Sequence, residues 1–377
     1  MSIWIENNGD FAELCQQAAQ YPCIALDTEF IWSSTFYPRL ALIQLSWNQE
    51  HCALIDPLAI SDPTPLAALL ANPNILKILH EAPSDLPILR RWCGEVMPEN
   101  IFDTRLAGAF CGLGLGCSLN KLLTELLQVT LDKSETRSDW LQRPLSEKQL
   151  QYASEDVIRL PELAGILQAK IEEQENQSYF AEEMLIFSQA EFYRQDDPQD
   201  CWRRVGGSGR LDPRRLAILR ELAAWRETSA RELDIPRPRI LKDSQLLDIV
   251  NLRPEKMADL RKVPAFWPKY IQRYGEHILE AVRRGQELPL QACPVSPEMN
   301  ISLPVYRKRV ARLQALVKKR SEARAIDPAL VAPRREISSI IQAAEAGNWA
   351  QHQLMQGWRK DLLGETFTSL IKNNFQE

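Results

Sequence analysis

Ile24-Ala25-Leu26-Asp27-Thr28-Glu29-Phe30 is an apolar run broken by two acids. It reads as a buried strand, and successive side chains of a strand point to opposite faces. Asp27 and Glu29 are two apart, so both carboxylates leave one face together. A second pair, Tyr152 and Asp156, lies in Leu150-Gln151-Tyr152-Ala153-Ser154-Glu155-Asp156-Val157, which reads as helix. Spacing of four stacks the two on one helical face. Asp85 follows another apolar strand, at 75–79, in the turn His80-Glu81-Ala82-Pro83-Ser84-Asp85-Leu86. Acids leaving buried elements repel one another and resist desolvation. Divalent cations relieve both, and a hard cation such as Mg²⁺ prefers oxygen ligands of this kind.

Each residue has a plainer explanation when taken alone. An isolated Asp-x-Glu is usually a solvated strand edge. Asp85 would serve as the cap of a helix beginning at Leu86, and Tyr152 as a packed aromatic. Their order and spacing together carry more. The segments 26–30, 80–86 and 152–157 resemble the three exonuclease motifs of ribonuclease D, the branch of 3′→5′ exonucleases with four acids and a tyrosine. The stretches Ile55-Asp56-Pro57-Leu58, Phe102-Asp103-Thr104 and Leu131-Asp132-Lys133-Ser134, through Asp139-Trp140, are similar to that family as well. The likeness covers nearly the whole chain, including a helical second half.

Composition agrees with such a chain. At 377 residues two or three domains are expected, and 45% apolar content is enough to bury real cores. No run approaches the ~18 apolar residues of a membrane span, and the N-terminal residues lack a secretory signal pattern. A cytoplasmic protein is expected, without a membrane partner. The eight cysteines include no Cys-x-x-Cys and the four histidines do not pair with them at ligand spacing, so buried reduced thiols are expected and zinc is not. Charge is unevenly divided. Residues 1–200 hold 13 Lys+Arg against 30 Asp+Glu, a net −17, while residues 201–377 hold 32 against 20, a net +12. An acidic half joined to a basic half suggests metal-dependent chemistry beside a polyanion-binding surface.

Periodicity predicts mixed α/β structure in the first ~200 residues, with strands over 23–29, 40–46, 52–55 and 75–79. Helices are expected over 11–20, 65–70, 86–93, 104–110, 119–127 and 146–170. Ser146 with Gln149 forms a capping box. The second half reads as helices throughout, opening with Asp212-Pro213 as cap and first turn. Periodicity thus gives α/β plus all-α, and the family resemblance implies a ribonuclease-H-like 3′→5′ exonuclease domain with a mixed sheet over 1–205, followed by two helical bundles over 208–288 and 298–374 that resemble the HRDC modules of that family. Gly206-Gly207-Ser208-Gly209 reads as a hinge, so the nuclease half is expected to fold without the two bundles.

The resemblance implies a site. Asp27 would bridge two divalent metal ions, Mg²⁺ or Mn²⁺, with Glu29 and Asp156 completing the water-activating ion and Asp85 helping to hold the other. Two-metal sites of this kind hold their ions ~3.5–4 Å apart. Tyr152 would orient the attacking water; a phenol with an ordinary pKa near ~10 is a positioner at neutral pH. Thr28, Phe30 and His80 are candidate contacts for the terminal nucleotide, and Lys133, Ser134, Arg137 and Trp140 form a polar loop offering phosphate donors and a stacking ring. Asp103 is expected to cap the next helix or pair with Arg105, Glu155 to face away from Asp156, and Asp56, before Pro57, to serve a turn. Arg307, Lys308, Arg309, Arg312, Lys318, Lys319, Arg320 and Arg324 would anchor an RNA backbone. The implied activity is a metal-dependent 3′→5′ exoribonuclease that trims 3′ extensions of structured RNA, foremost tRNA precursors. The alternatives are a DNA-directed exonuclease on the same fold, or an inactive nucleic-acid-binding scaffold.

Overall fold

The computed structural model describes the chain except residues 1, 133–134, 136–137, 295–300, 374 and 376–377. It divides into two compact units. The first comprises Met1–Ile31, Leu40–Tyr193 and Met299–Glu377; the second comprises Trp32–Arg39 and Arg194–Glu298.

The first unit is built on a six-stranded mixed sheet. Its strands are β1 (Ser2–Ile5), β2 (Cys23–Ile31), β3 (Arg39–Ser46), β4 (Cys52–Ile55), β5 (Leu76–Leu79) and β6 (Ile101–Asp103), in spatial order β1-β4-β3-β2-β5-β6. The strand carrying Asp27 and Glu29 is therefore interior, flanked by β3 and β5. Ile24, Ala25 and Leu26 are fully buried at its start. β3 and β4 form a hairpin, and the Asn48 side chain accepts the amides of Glu50 and His51 in its turn. The edge strands β1 and β6 were not expected. They hold four and three residues, too few for a period-2 signal, and owe their form to parallel pairing with β4 and β5.

The helices of this part are α1 (Asn8–Ala18), α2 (Thr64–Ala71), α3 (Ala82–Trp92), α4 (Thr104–Phe110), α5 (Leu119–Leu127), α6 (Glu147–Ile158), α7 (Leu160–Glu173) and α8 (Gln177–Met184). α8 was not expected, and two others differ in ways that bear on the site. α3 begins at Ala82 rather than Leu86, which puts Asp85 in its first turn and not at its cap. The amides of Ala82 and Glu81 are received by the buried carboxylate of Asp103, at 2.8 and 3.4 Å. The cap comes from a residue some twenty positions away, where no local pattern shows it. The helix expected over 146–170 is two helices that part at Arg159, because Pro161 in the first turn of α7 has no amide to donate. The Ser146–Gln149 capping box is present.

The C-terminal helices Leu303–Glu322, Arg334–Glu345 and Gly357–Lys372 share the core of this same unit. The Trp358 ring lies 5.2 Å from Phe110 and 5.7 Å from Tyr179, and its indole nitrogen donates to Glu183. Arg359 grips the same carboxylate with two bonds, at 2.7 and 2.9 Å. Gly112, at φ +74°, lets the chain pass Ala325; a Cβ there would sit 3.1 Å from the Ala325 carbonyl. A chain cut near residue 208 would lose this packing and uncover the faces of Phe110 and Tyr179 that Trp358 covers. Helices of the expected third domain thus share one core with the sheet, where the sequence pattern had set them apart.

The second unit packs helices Pro213–Glu232, Asp243–Leu252 and Pro268–Glu287 around Leu219, Leu222, Ile249 and Ile278. Asp212 caps the first through the Arg215 amide. Gly285 permits a close helix crossing, since a Cβ would meet the Ile218 backbone at 2.5 Å. All eight cysteines are free thiols. Among the described residues no helix is long and apolar enough to cross a membrane.

Candidate active site

The site is assembled from three elements. β2 presents Asp27 and Glu29, α6 presents Asp156 one turn beyond Tyr152, and α3 presents Asp85. Carboxylate oxygens of Asp27, Glu29 and Asp156 all lie within 4.8 Å of one another. α6 is held over the sheet by Ala153, which packs with Leu42 and Leu54. Those two alternate along β3 and β4 with Ile43 and Ile55, whose side chains belong to the main core. The sheet thus spends one face on the core and gives part of the other to the helix that carries the acids.

Electrostatics set this cluster apart. Desolvation, followed by the charges of Asp85, Asp156 and Glu29, pushes Asp27 well above the carboxylate range. Desolvation and the charges of Asp156 and Asp85 push Glu29 up to about 8. Asp85, almost wholly buried, is raised to about 7 by desolvation, against hydrogen bonds from Thr28 that favour its ionised form. Without added positive charge, these acids cannot all ionise together at neutral pH. Three acids with convergent oxygens and a fourth close enough to perturb them form a donor set suited to hard divalent cations.

Beside the acids lies a cleft of about 480 Å³ lined by Tyr152, Asp156, His80, Glu81, Arg105, Leu131, Asp132 and the 116–120 segment. His80 thus reaches the site. Its ring shares a 2.9 Å hydrogen bond with the Thr104 hydroxyl, and desolvation with the nearby Arg105 charge lowers its pKa to about 4. It is neutral at physiological pH. Arg105 pairs with Glu81 and donates to the Leu115 carbonyl at 2.7 Å, while Asp103 spends its carboxylate on helix ends. Arg105 and Asn120 are cleft residues that the sequence did not single out. Neither stands in an acidic motif, and only the packing of α4 and α5 brings them there.

The other candidates fare differently. Thr28 is buried and its hydroxyl donates to Asp85, so its side chain serves that acid and leaves its backbone for the expected nucleotide contact. Phe30 is half-buried at the end of β2. Trp140 is 2% exposed and lies 6.0 Å from the Tyr152 ring among Ala41, Leu42 and Leu145. The expected stacking ring is therefore packing, and it backs the tyrosine rather than a base. Lys133, Ser134 and Arg137 lie outside the described residues. Glu155 accepts from Gln151, and Asp56 accepts two bonds from Arg143 at 2.7 Å each, which goes beyond the turn chemistry expected of it.

Comparison with known proteins fits this geometry. The 3′-5′ exonuclease family profile matches residues 2–172, the HRDC domain profile residues 215–282, and the ribonuclease D C-terminal HRDC profile residues 304–367. The chain is 37% identical to ribonuclease D of Desulfotalea psychrophila over 363 residues, 96% of each chain. It is 34% identical to that of Escherichia coli over 387 residues, 98% of each. The crystal structure of Escherichia coli RNase D, described as an exoribonuclease involved in structured RNA processing, superposes with a TM-score of 0.90 at 33% identity over 100% of both chains. The catalytic core of RRP6 from Trypanosoma brucei shares the fold at 22% identity and a TM-score of 0.60, over 76% of this chain and 79% of that one.

Proposed function

This chain belongs to the ribonuclease D family of 3′→5′ exoribonucleases, and we propose that it trims 3′ extensions of structured RNAs in the cytoplasm, tRNA precursors foremost, releasing nucleoside 5′-monophosphates by two-metal hydrolysis. The observation that carries this is the convergence of Asp27, Glu29 and Asp156 within 4.8 Å, beside a cleft that Tyr152 and His80 line. Asp27, Glu29 and Asp156 would hold one divalent ion, and Asp27 with Asp85 would help hold the second; Mg²⁺ and Mn²⁺ both accept such oxygens. Bound there, such ions lower the pKa of a water and stabilise charge on the leaving oxygen.

The chain's own residues supply the rest. Tyr152 shares a helical face with Asp156 and lines the cleft, and its hydroxyl would orient the attacking water. Trp140 fixes the tyrosine ring from behind. Thr28 orients Asp85 through its hydroxyl. Neutral His80, on the cleft wall, contributes a ring surface and a hydrogen-bonding nitrogen to the terminal nucleotide without adding charge. Water bonds to phosphorus as the 3′-oxygen of the penultimate nucleotide departs, which leaves a 5′-monophosphate and a chain one residue shorter.

The test is a 3′-extended tRNA transcript labelled at its 5′ end, digested with and without Mg²⁺ and compared with a DNA oligomer of matched sequence. Stepwise shortening that needs the metal and favours RNA is expected. Asp27→Asn should abolish it while the fold persists, since removing one of several crowded acids relieves repulsion. Near-normal turnover of Asp27→Asn in saturating Mg²⁺ would sink the site assignment, and equal turnover of RNA and DNA would sink the substrate assignment.

A further inference from the structure

The strand that carries the acids continues into a segment that belongs to the other unit. β2 ends at Ile31, and Trp32–Arg39 is part of the second unit together with Arg194–Glu298. Only two residues separate Glu29 from Trp32. On the β5 side, the ladder of β2 reaches Cys23, Ile24 and Ala25, so Asp27 and Glu29 ride on the outer half of the strand. What fixes the segment after Ile31 therefore bears on where the two carboxylates stand.

One side chain dominates that attachment. Oδ1 of Asp234 accepts the backbone amides of both Phe36 and Tyr37, at 3.1 and 3.0 Å. The Phe36 ring lies under the Arg237 guanidinium, 4.6 Å from its centroid, and Arg237 in turn is held by the buried Glu227. The segment is also braced internally, as the Trp32 indole donates to the Phe36 carbonyl at 2.9 Å.

Asp234 occupies this position at a cost. It follows the helix Pro213–Glu232 and its cap Leu233, at φ +47°, in the left-handed region. The Ile235 amide closes back on the Ala230 carbonyl at 3.1 Å. This is the residue just past a helix cap, where glycine is the usual occupant because a Cβ is strained there. Capping alone would be served better by glycine. An aspartate here makes sense by what its carboxylate does, and what it does is hold two amides of the segment that prolongs the catalytic strand. A strained residue that surrounding contacts over-determine is a pointer to function.

We propose that Asp234 is a positioning residue for the catalytic strand: by pinning Phe36 and Tyr37 it fixes the end of β2 and, through it, the stance of Asp27 and Glu29. This rests on the assignment of those two acids to catalysis.

The test compares two variants of the full chain. Asp234→Gly removes the acceptor while suiting the left-handed backbone. Asp234→Asn keeps an acceptor oxygen and is tolerated in that conformation. Asp234→Gly is expected to slow single-turnover release of the first nucleotide between about tenfold and a hundredfold, the loss that a small misplacement of reacting groups produces. RNA affinity should stay unchanged, and backbone amides of residues 32–39 should exchange faster with solvent. Asp234→Asn should restore both rate and protection. A wild-type rate in Asp234→Gly, or equal slowing in both variants, would overturn the proposal. Asp27→Asn run in parallel separates the two ideas. If it is inactive while Asp234→Gly is normal, only the positioning role falls; if it remains active, the catalytic assignment falls first.

Discussion

Glu29 illustrates how much a single side chain is asked to bear. Its carboxyl is pushed up to about 8 because burial and the charges of Asp156 and Asp85 oppose ionisation. In an unfolded chain it titrates near the ordinary ~4.3. A raised folded value means that the folded, metal-free protein holds a proton the unfolded chain has lost. The contribution to stability is therefore full below the unfolded value and is lost as pH rises towards 8. Melting of the metal-free protein across pH 5 to 8.5 should show a falling Tm, Glu29→Gln should flatten that fall, and Mg²⁺ should raise Tm most at the alkaline end. A Tm of the metal-free protein that does not change with pH in this window would contradict the buried, crowded state of the acid. Tyr152→Phe isolates another role. The ring and its packing on Trp140 persist and only the hydroxyl goes, so single-turnover cleavage should slow on the order of a hundredfold with little change in binding. Weakened binding with an intact rate would make the tyrosine a substrate contact instead.

The elements are joined by side chains that serve two of them at once. Asp103 caps α4 by accepting the amides of Arg105 and Leu106, and starts α3 by accepting that of Ala82. It is 1% exposed, so each bond is made without competition from water. Because α3 carries Asp85 in its first turn, this carboxylate sets where that acid emerges. Asp103→Ala removes both attachments at once. Removing a single cap costs about 0.5–2 kcal/mol, and denaturant unfolding should show a loss at or above the top of that range. The variant should also need more Mg²⁺ for half-maximal cleavage, since Asp85 would be less well placed. A loss matching one cap, with unchanged metal demand, would mean α3 starts correctly without it.

Over the whole molecule, the acidic and basic halves of the sequence do not map onto separate bodies. The net positive residues 201–377 supply all of the HRDC-like helices, yet the last three of them complete the core around the acidic sheet. Some of the basic charge around the helix Leu303–Glu322 is spent within the unit: Arg309 pairs with Glu345 and stacks on Phe375, and Arg324, just beyond the helix, donates to the Glu175 carbonyl. Arg307, Lys308, Arg312, Lys318, Lys319 and Arg320 remain exposed. Replacing Arg307, Lys308, Arg312 and Lys319 with glutamine should leave stability nearly intact. It should weaken binding of a 3′-extended tRNA and flatten its salt dependence, by up to roughly 0.7–0.9 in the log–log slope for each phosphate no longer neutralised. An unchanged slope would remove this helix from the RNA-binding surface.

Short-range physics made part of this protein legible from its amino acids. Alternation marked β2 and β3, the Ser146–Gln149 box marked the start of α6, and spacings of two and four put Asp27 with Glu29 and Tyr152 with Asp156. These features arise from strand and helix periods, which neighbours along the chain impose on one another. The family of the site was legible for the same reason, since its motifs are local and ordered. Packing settled whatever depends on partners far along the chain. Trp140 stands in a polar stretch and is buried, because Leu42 and Leu145 close over it. α3 starts early because Asp103 reaches its first amides. The C-terminal bundle joined the nuclease core because Trp358 and Arg359 found Phe110 and Glu183. Asp234 meets Phe36 across 198 positions of sequence. Contacts at such range reflect how finished elements pack, and no window of one sequence contains both sides of them.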